Sequence, residues 1–483
     1  MKTSTKRPHS LWAGLYLIYM LKTSHKQLCL SLHFALAVCV CFSISLPSQS
    51  SAPSNTVPVM YINTENSEPI TSKTTYVKGT YYITTPGGAT NSLGTSEEPL
   101  SLEIRGRGNS SWRGKKKPYK IRLGAKESLF GMPGNKHWVL INFSDVTIAG
   151  MELGRMLGMS WNPHSHPVEV VLNGDYIGLY LLSENVRINK NRVNIYKQAD
   201  NNDDDTSIPY GWLVEIDNYY ESNQIKINEN SNWSIRVTYH SPDTLSSRQK
   251  TWLTEEFTKI NAAIYSTGVT QLGWEKYFDV DAMARFFIVH EVMDNPDGFH
   301  GSFFLHKDLC EDSKWIAGPL WDMNCMRRAK TDYTFRMKTS YGFTPHWIGA
   351  LIKKDTFCEA VNNVWHEFYP QKANEWMHYI ESYVMPYEAA YIYNDDRWPS
   401  SNYMPLSEKT DSLKKVLTAN MEWFDKHLPQ AESTSIAVHP ASTHFTVYNL
   451  QGLFIRNADT YEGALLNLPK GIYIINGKKL LVK

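Results

Sequence analysis

The stretch Asn295–Asn324, NPDGFHGSFFLHKDLCEDSKWIAGPLWDMN, holds two short apolar runs that each lie next to a carboxylate. Asp297 stands in a glycine-rich turn before the first run, and Asp322 directly follows the second. Antiparallel pairing of the two runs as a β-hairpin would bring both aspartates to one place. Phosphoryl-transfer sites combine a catalytic carboxylate with a metal-binding one in this way. Two solvated loop aspartates fit the same spacing, so both interpretations remain open at this point.

The composition is typical of a soluble globular protein. The chain has 483 residues, of which 42% are hydrophobic and 20% are charged. This length allows two or three domains, or one large catalytic domain with an appendage. The formal net charge of +1 argues against a protein that binds nucleic acid by neutralising phosphates. We therefore expect no nucleic-acid partner.

Residues 1–52 have the pattern of a secretory signal peptide. Basic residues precede the apolar run Leu28–Leu46, and small residues up to Ala52 offer a cleavage site. We expect cleavage, no transmembrane domain in the mature chain, and a secreted or cell-surface protein. A retained membrane anchor and a lipoprotein attached through Cys39 are the alternatives. A start at Met20 would give the signal an ordinary length.

The cysteines fit export without indicating a disulfide scaffold. Cys310, Cys325 and Cys358 remain after the signal, an odd number without metal-ligand spacing. Cys310 and Cys325 flank the expected hairpin and could pair in an oxidising compartment. Buried free thiols are the other interpretation.

The region Val57–Arg122 alternates apolar and polar residues, which predicts β-strands. Within it lies the loop RGRGNSSW, with Arg105 and Arg107, and then a strand that carries Lys120. Glycines let backbone N–H groups approach an anion, and the cations offset its charge. A basic solvated hairpin would show the same pattern, but the neighbouring aspartate stretch favours an anion site.

Further along, Asn173-Gly174 between two apolar runs predicts a β-hairpin, and the apolar run up to Asp217 predicts another strand. From Trp347 to Met421 the apolar residues recur with helical spacing, which indicates core helices rather than a cofactor site. The sequence thus predicts an α+β protein. Residues 431–444 have the composition of a linker, and residues 445–483 predict short strands, one of them from Leu465 to Gly471.

Six motifs occur in order: RGRGNSSW, KKPYKIRL, VEVVLNGDYIGLYLLSE, GWLVEID, NPDG and GPLWDMN. Together they resemble the CotH family, the spore-coat-protein-H-like kinases, from about Val57 to about Met421. The resemblance implies an atypical protein-kinase-like domain over residues 53–430, with mixed β-sheets and a C-terminal helical part. It also implies transfer of the γ-phosphate of ATP, with Mg²⁺ or Mn²⁺, to Ser or Thr of secreted or surface proteins.

The resemblance also implies roles for individual residues. Asp297 matches the catalytic aspartate, and Asp322 matches the metal-binding aspartate. Lys120 is the candidate for the lysine that binds the nucleotide phosphates, and Glu184 is the candidate for its ion-pair partner. The anion site would then be a nucleotide site, to which the basic loop contributes Arg105 and Arg107.

The sequence departs from the family pattern at two positions. Active members often carry Trp-Asp-x-Asp, whereas here the last residue is Asn324, which offers a metal ion a carbonyl oxygen but no charge. A kinase catalytic loop usually has an asparagine five residues after its aspartate, and here that residue is Ser302. Two functions therefore stay open: a protein kinase, and a surface binding or structural protein on a degenerate kinase fold.

The last part of the chain, residues 445–483, contains GLFIRN and ends with LPKGIYIINGKKLLVK. It resembles the C-terminal sorting domain of type IX secretion in Bacteroidetes-type bacteria, an Ig-like β-sandwich. This resemblance implies that the secretion machinery is a partner of the tail. A small β module of another use is the alternative.

Overall fold

The structure is a computed structural model that describes most of the chain beyond the expected signal peptide. The described residues are 52–430 and 445–482, without 88–91, 218, 229–233, 268–272, 296, 300, 311, 324–328, 331–334, 336–346 and 477. The expected linker at 431–444 lies outside this set, and so do Asn324 and Cys325. Helices and strands are both abundant among the described residues, which confirms the α+β class.

The N-terminal part is a closed barrel of seven strands, in the order β1-β2-β3-β4-β5-β7-β6. Its strands are β1 (Val59–Thr64), β2 (Val77–Thr84), β3 (Leu100–Gly106), β4 (Tyr119–Leu129), β5 (Met132–Asn142), β6 (Ser165–Leu172) and β7 (Asp175–Glu184). Neighbouring strands are antiparallel except β1 and β6, which run parallel. Alternate residues point inward, so that Ile104, Ile121 and Trp138 are fully buried in the barrel.

The predicted hairpin at Asn173-Gly174 is confirmed as the connection between β6 and β7. Both residues have positive φ, 51° for Asn173 and 80° for Gly174, as a tight two-residue turn requires. Two helices interrupt the barrel strands: α1 (Ser110–Arg113) and α2 (Asp145–Met156). Helix α2 begins at Asp145 because the Ser144 side chain accepts a hydrogen bond from the Thr147 N–H.

The second sheet has five strands in the order β12-β11-β8-β10-β9. These are β8 (Trp212–Ile216), β9 (Gln224–Ile227), β10 (Ile235–Ser241), β11 (Phe303–Lys307) and β12 (Ile316–Ala317). The hairpin expected between the two aspartates is confirmed, because β11 and β12 pair antiparallel with Leu305 opposite Ala317. Strand β11 also pairs with β8, which places Phe304 opposite Glu215.

Helices surround this sheet and form the largest core. They are α3 (Ser247–Tyr265), α4 (Val280–Val292), α5 (Trp347–Leu351), α6 (Asp355–Phe368), α7 (Ala373–Val384) and α9 (Leu406–Lys426), whereas α8 (Glu388–Arg397) packs against β7 of the barrel. The helical pattern that begins at Trp347 is thereby confirmed, and Phe357 and Trp365 of α6 are fully buried. None of the helices in the described part of the chain is long and apolar enough to cross a membrane.

The tail forms one antiparallel sheet in the order β14-β13-β15-β16. Its elements are β13 (Phe445–Asn449), β14 (Phe454–Ala458), α10 (Tyr461–Leu465), β15 (Gly471–Ile475) and β16 (Lys478–Val482). The strand expected from Leu465 onward is wrong, because Leu465 is the last residue of α10. The Thr460 hydroxyl caps the first turn of this helix by accepting a hydrogen bond from the Gly463 N–H at 3.0 Å. The described tail residues show a single sheet with a helix on it, not the two sheets of a sandwich.

Two of the cysteines lie among the described residues. Cys310 is exposed and Cys358 is buried, and both are free thiols. The expectation of buried free thiols is met by Cys358 and is wrong for Cys310. Burial raises the pKa of the Cys358 thiol to about 11, so this thiol is unreactive near neutral pH.

Candidate functional site

A cavity of about 750 Å³ is lined by residues of both the barrel and the five-stranded sheet. Its volume is within the range of small-molecule sites, roughly 300–1,000 Å³. Among its lining residues are five of the seven candidates from the sequence: Arg105, Arg107, Lys120, Asp297 and Asp322. The basic loop and the two aspartates, far apart in the chain, are therefore brought to one place.

The basic wall comes from β3, β4 and the loop between them. Arg105 on β3 lies opposite Lys120 on β4, and its guanidinium stacks 5.1 Å from the centroid of the Tyr76 ring. The guanidinium of Arg107 lies over Trp321 instead, at 5.2 Å from the ring centroid. The Lys120 ammonium makes no hydrogen bond or ion pair with the described residues. It is thus available to an anion in the cavity.

The electrostatics of this wall also favour an anion. Burial and, to a smaller extent, the nearby charges of Arg105 and Arg187 together lower the pKa of Lys120 to about 8. Burial likewise lowers the pKa of Arg107, while Asp322 opposes that shift. Cations that are crowded and partly desolvated become more stable when a phosphate neutralises them.

The glycines of the loop are required by close packing and by backbone conformation. A side chain at Gly106 would collide with the Trp112 ring, and Gly108 has a φ of 81°. The N–H groups of Gly106 and Arg107 donate to the carbonyls of Ser72 and Pro118. These two backbone N–H groups are therefore paired within the protein and are not open to an anion.

Asp297 is held by the end of α4. Its N–H donates to the Asn295 side chain at 3.1 Å, and its carbonyl accepts from the Gly301 N–H at 3.0 Å. Asn295 is buried and forms a further hydrogen bond with the His290 ring at 3.0 Å. The turn that carries Asp297 is therefore fixed by buried groups on both sides.

Asp322 lies between two anchored residues. Leu320 donates its N–H to the buried Asn162 side chain at 2.9 Å, and the Met323 carbonyl accepts from the Thr147 hydroxyl of α2 at 3.3 Å. Asp322 itself has a φ of 47°, a left-handed conformation that Asp tolerates better than most residues. The backbone thus presents Asp322 to the cavity at a fixed position.

Asp322 as a whole residue is exposed to solvent. Its carboxyl group, however, is closely surrounded by protein atoms. This burial raises the pKa of Asp322, and the negative charges of Asp297 and Glu215 raise it further, while Arg107 acts in the opposite direction. Carboxylates that oppose one another's ionisation favour a bound cation, because the cation removes the repulsion.

Glu184 is not the partner of Lys120, so that expectation is wrong. It is fully buried at the end of β7, where its carboxylate accepts from the His164 N–H at 3.0 Å. The Nε of Arg192, also buried, lies 3.6 Å from the same carboxylate. The Arg192 guanidinium lies over the Trp138 ring, 5.1 Å from its centroid. Trp138 itself is directly opposite Glu184 in the pairing of β5 with β7. This arginine therefore compensates the carboxylate and leaves Lys120 free of it.

Glu215, Asp217 and His240 are among the cavity residues to which the sequence assigned no role. Glu215 Oε2 is 2.7 Å from His240 Nε2. The motif GWLVEID carried a signal for the two acids, because residues two apart on a strand point to the same face. Nothing in the sequence linked them to His240, which lies on β10.

The donor set fits a nucleotide with a divalent cation. No group of three or more His, Cys, Asp and Glu side chains in the described part of the chain converges to hold a metal ion. Mg²⁺, however, is usually held by one or two carboxylates together with substrate phosphates. Asp322 and Asp297 offer such oxygens, and the basic wall offers partners for phosphates. Ser302, where kinases have an asparagine, also lines the cavity.

Comparison with known proteins identifies a family. Residues 104–424, about two thirds of the chain, match the family described as CotH kinase protein. The matched region contains the whole basic loop and both aspartates. No curated protein matches the chain. With this share of its length matched, the chain belongs to the CotH kinase protein family.

Proposed function

We propose that this protein transfers the γ-phosphate of ATP to a Ser or Thr hydroxyl of an exported or surface protein. The observation that carries the proposal is that one cavity is lined both by three cationic side chains and by the carboxylates of Asp297 and Asp322. The cationic residues are Arg105, Arg107 and Lys120. Membership of a kinase family supports it, because that membership suggests the use of ATP and a divalent metal. Cationic side chains for the phosphates and carboxylates for a metal ion and a proton are the groups that phosphoryl transfer uses.

The basic wall would bind the phosphates. Lys120 offers an ammonium that has no hydrogen-bond or ion-pair partner among the described residues, and Arg107 offers a planar guanidinium that its contact with Trp321 holds in place. Arg105, beside Lys120 on the neighbouring strand, adds a further positive charge. Together these side chains would position a triphosphate and offset its charge, which is the main source of catalysis in phosphoryl transfer.

The carboxylates would have separate roles. Asp322 would hold the divalent cation that accompanies ATP, and this cation would neutralise charge on the phosphate oxygens. Asp297 would accept the proton of the acceptor hydroxyl as its oxygen bonds to the γ-phosphorus, while the bond from that phosphorus to the β,γ-bridging oxygen breaks and ADP leaves. The buried Asn295 side chain accepts a hydrogen bond from the Asp297 N–H and thereby holds the turn. Asp297 is therefore already in position for this role.

A second candidate function is that of a surface binding or structural protein on a degenerate kinase fold. Two residues favour it: Asn324, which brings no charge to the metal, and Ser302, which lines the cavity where a kinase has a metal-binding asparagine. The cavity would then bind an anionic ligand without transferring phosphate.

Export also belongs to the proposal. The apolar N-terminal segment and the tail, residues 445–483, support a secreted or surface location through type IX secretion, with the secretion machinery as a partner. The tail supports it through its resemblance to a sorting domain and through its short strands. Fractionation of cells that express the full chain or a chain ending at residue 444 would test this, since only the full chain should reach the surface.

The test of the main proposal is an assay of the purified mature chain with ATP and either Mg²⁺ or Mn²⁺. ADP release, phosphoprotein formation and a nucleotide-induced rise in melting temperature are measured together. The kinase proposal predicts all three. A melting-temperature rise without ADP release under either metal would favour the binding protein, and no effect of nucleotide would contradict the nucleotide site itself.

A further inference from the structure

Glu215 occupies a central position beneath the cavity. It lies on β8, with Phe304 of β11 on one side and Thr238 of β10 on the other. The residue is 9% exposed, yet it lines the same cavity as Asp322 and Asp297. A carboxylate buried to this degree is costly unless a positive charge or hydrogen bonds compensate it.

The compensation that the protein itself provides is partial. Glu215 Oε2 is 2.7 Å from Nε2 of His240, and the His240 ring packs against Phe304 at 5.2 Å between centroids. Oε1 of Glu215 has no hydrogen-bond partner among the described residues, and it is not one of the fully enclosed polar atoms. One oxygen is therefore fixed by the histidine, while the other is open to the cavity.

Asp322, which lies outside this sheet's strands, lines the same cavity as Glu215. Its carboxylate makes no hydrogen bond or ion pair with the described residues, and the charges of Glu215 and Asp322 are close enough to interact. Two open carboxylate oxygens thus face one space from two different elements. Mg²⁺ and Mn²⁺ take oxygen ligands of this kind, with phosphate oxygens completing the shell.

The sequence explains why a second carboxylate is needed from elsewhere. The Trp-Asp-x-Asn motif supplies Asp322 but ends in an amide, which contributes no charge to the cation. We propose that Glu215, held by His240, is the second anionic ligand of the divalent cation in this site, together with Asp322. This inference rests on the proposed nucleotide site.

His240 has a positioning role in this arrangement. By bonding one oxygen of Glu215, it fixes the rotamer that leaves the other oxygen toward the cavity. Partners of this kind orient metal-binding carboxylates, and their loss typically lowers metal affinity about 10- to 100-fold. His240 itself is not required to touch the metal or the substrate.

The test measures Mn²⁺ binding directly, by the electron paramagnetic resonance signal of free Mn²⁺ titrated with the full mature chain and ADP. Glu215→Gln should weaken Mn²⁺ affinity by about tenfold or more, and Glu215→Asp, which keeps the charge, should weaken it less. His240→Asn should fall between the wild type and Glu215→Gln. Glu221→Gln is the matched control, because Glu221 lines the same cavity but is exposed; its Mn²⁺ affinity should stay within about twofold of the wild type.

Melting temperatures without metal show that each variant is folded. Mn²⁺ affinity of Glu215→Gln equal to that of Glu221→Gln would overturn the role of Glu215, while the proposed function would stand if the wild type still bound Mn²⁺ with ADP. A wild type that binds ADP but no Mn²⁺ would overturn both. Equal losses in the Gln and Asp variants of Glu215 would also contradict the inference, because a shape effect rather than charge would then explain them.

Discussion

The Arg107 guanidinium lies over the ring of Trp321, 5.2 Å from its centroid. This contact joins the basic loop of the barrel to the residue directly before Asp322. The basic loop and the segment that carries Asp322, which both line the cavity, are therefore linked by a cation–π pair. Such a pair contributes about 0.5–2 kcal/mol, more when it is shielded from water.

The first prediction follows from this contact. Arg107→Met should weaken ADP binding about tenfold, because a phosphate partner is lost, and Trp321→Leu should weaken it less, because the cation stays. The double variant should show non-additive losses, with a coupling of about 1 kcal/mol. Isothermal titration with ADP measures each affinity, and strictly additive losses would show that the contact does not matter for binding.

The second prediction concerns pH. The pKa of Lys120 is lowered to about 8 by burial and by neighbouring arginines. Nucleotide phosphates bind the protonated form, so ADP affinity should fall as pH rises above 8, by up to about tenfold per pH unit. Lys120→Arg should bind with much less pH dependence between pH 7 and 9.5, and a wild-type affinity that is flat over this range would argue against Lys120 as a phosphate ligand.

The same pKa shift affects the free energy of unfolding of the nucleotide-free protein. Lys120 titrates near 8 in the folded state and near 10.5 when unperturbed, so between these values the unfolded chain holds more protons. The Lys120 contribution to the free energy of unfolding should then rise with pH through this window. Chemical denaturation of the wild type and of Lys120→Met at pH 7.5 and 10 would isolate it, and an equal pH effect in both proteins would contradict the assignment.

The third prediction separates binding from transfer. Asp297→Asn should keep ADP affinity within about threefold but abolish phosphate transfer, because the amide cannot accept the proton of the acceptor hydroxyl. Asp205→Asn, in an exposed ion pair with Arg248, is the control and should change neither property. Retained transfer by Asp297→Asn would remove Asp297 from the mechanism.

The fourth prediction concerns the tail. The residues of its small core, Val447, Ala464, Leu468, Tyr473 and Ile475, all come from the tail itself. Removal of residues 445–483 should therefore leave one cooperative unfolding transition with a melting temperature close to that of the full chain. A broad or non-cooperative transition in the shortened protein would show that the tail completes the main core.

The sequence predicted those parts of the site that depend on local pattern. The two short apolar runs around Leu305 and Ala317 were sufficient to predict the β11–β12 hairpin, and Asp297 and Asp322 at its ends line one cavity. The loop with Arg105 and Arg107 was recognised by its glycines and cations. Each of these signals lies within a short stretch of chain.

The remaining parts depend on contacts between distant segments. The position of Glu184 at a strand end did not show that Arg192 lies nearer to it than Lys120 does. Glu215 and His240 meet because β8 pairs with β10, an adjacency that no local pattern encodes. Most of the stretch that was expected to form a strand after Leu465 is instead the turn and loop that follow α10. The apolar pattern there did not reveal this helix, which is capped by Thr460.

The central claim is that the cavity transfers phosphate with a metal held by Asp322, and one measurement tests it most directly. ADP release is followed for the purified wild type and for Asp322→Ala, with Mn²⁺ and with Mg²⁺, after circular dichroism has shown that both are folded. The account predicts metal-dependent release by the wild type and a loss of about a hundredfold or more in the variant. Equal release by the two proteins would contradict it.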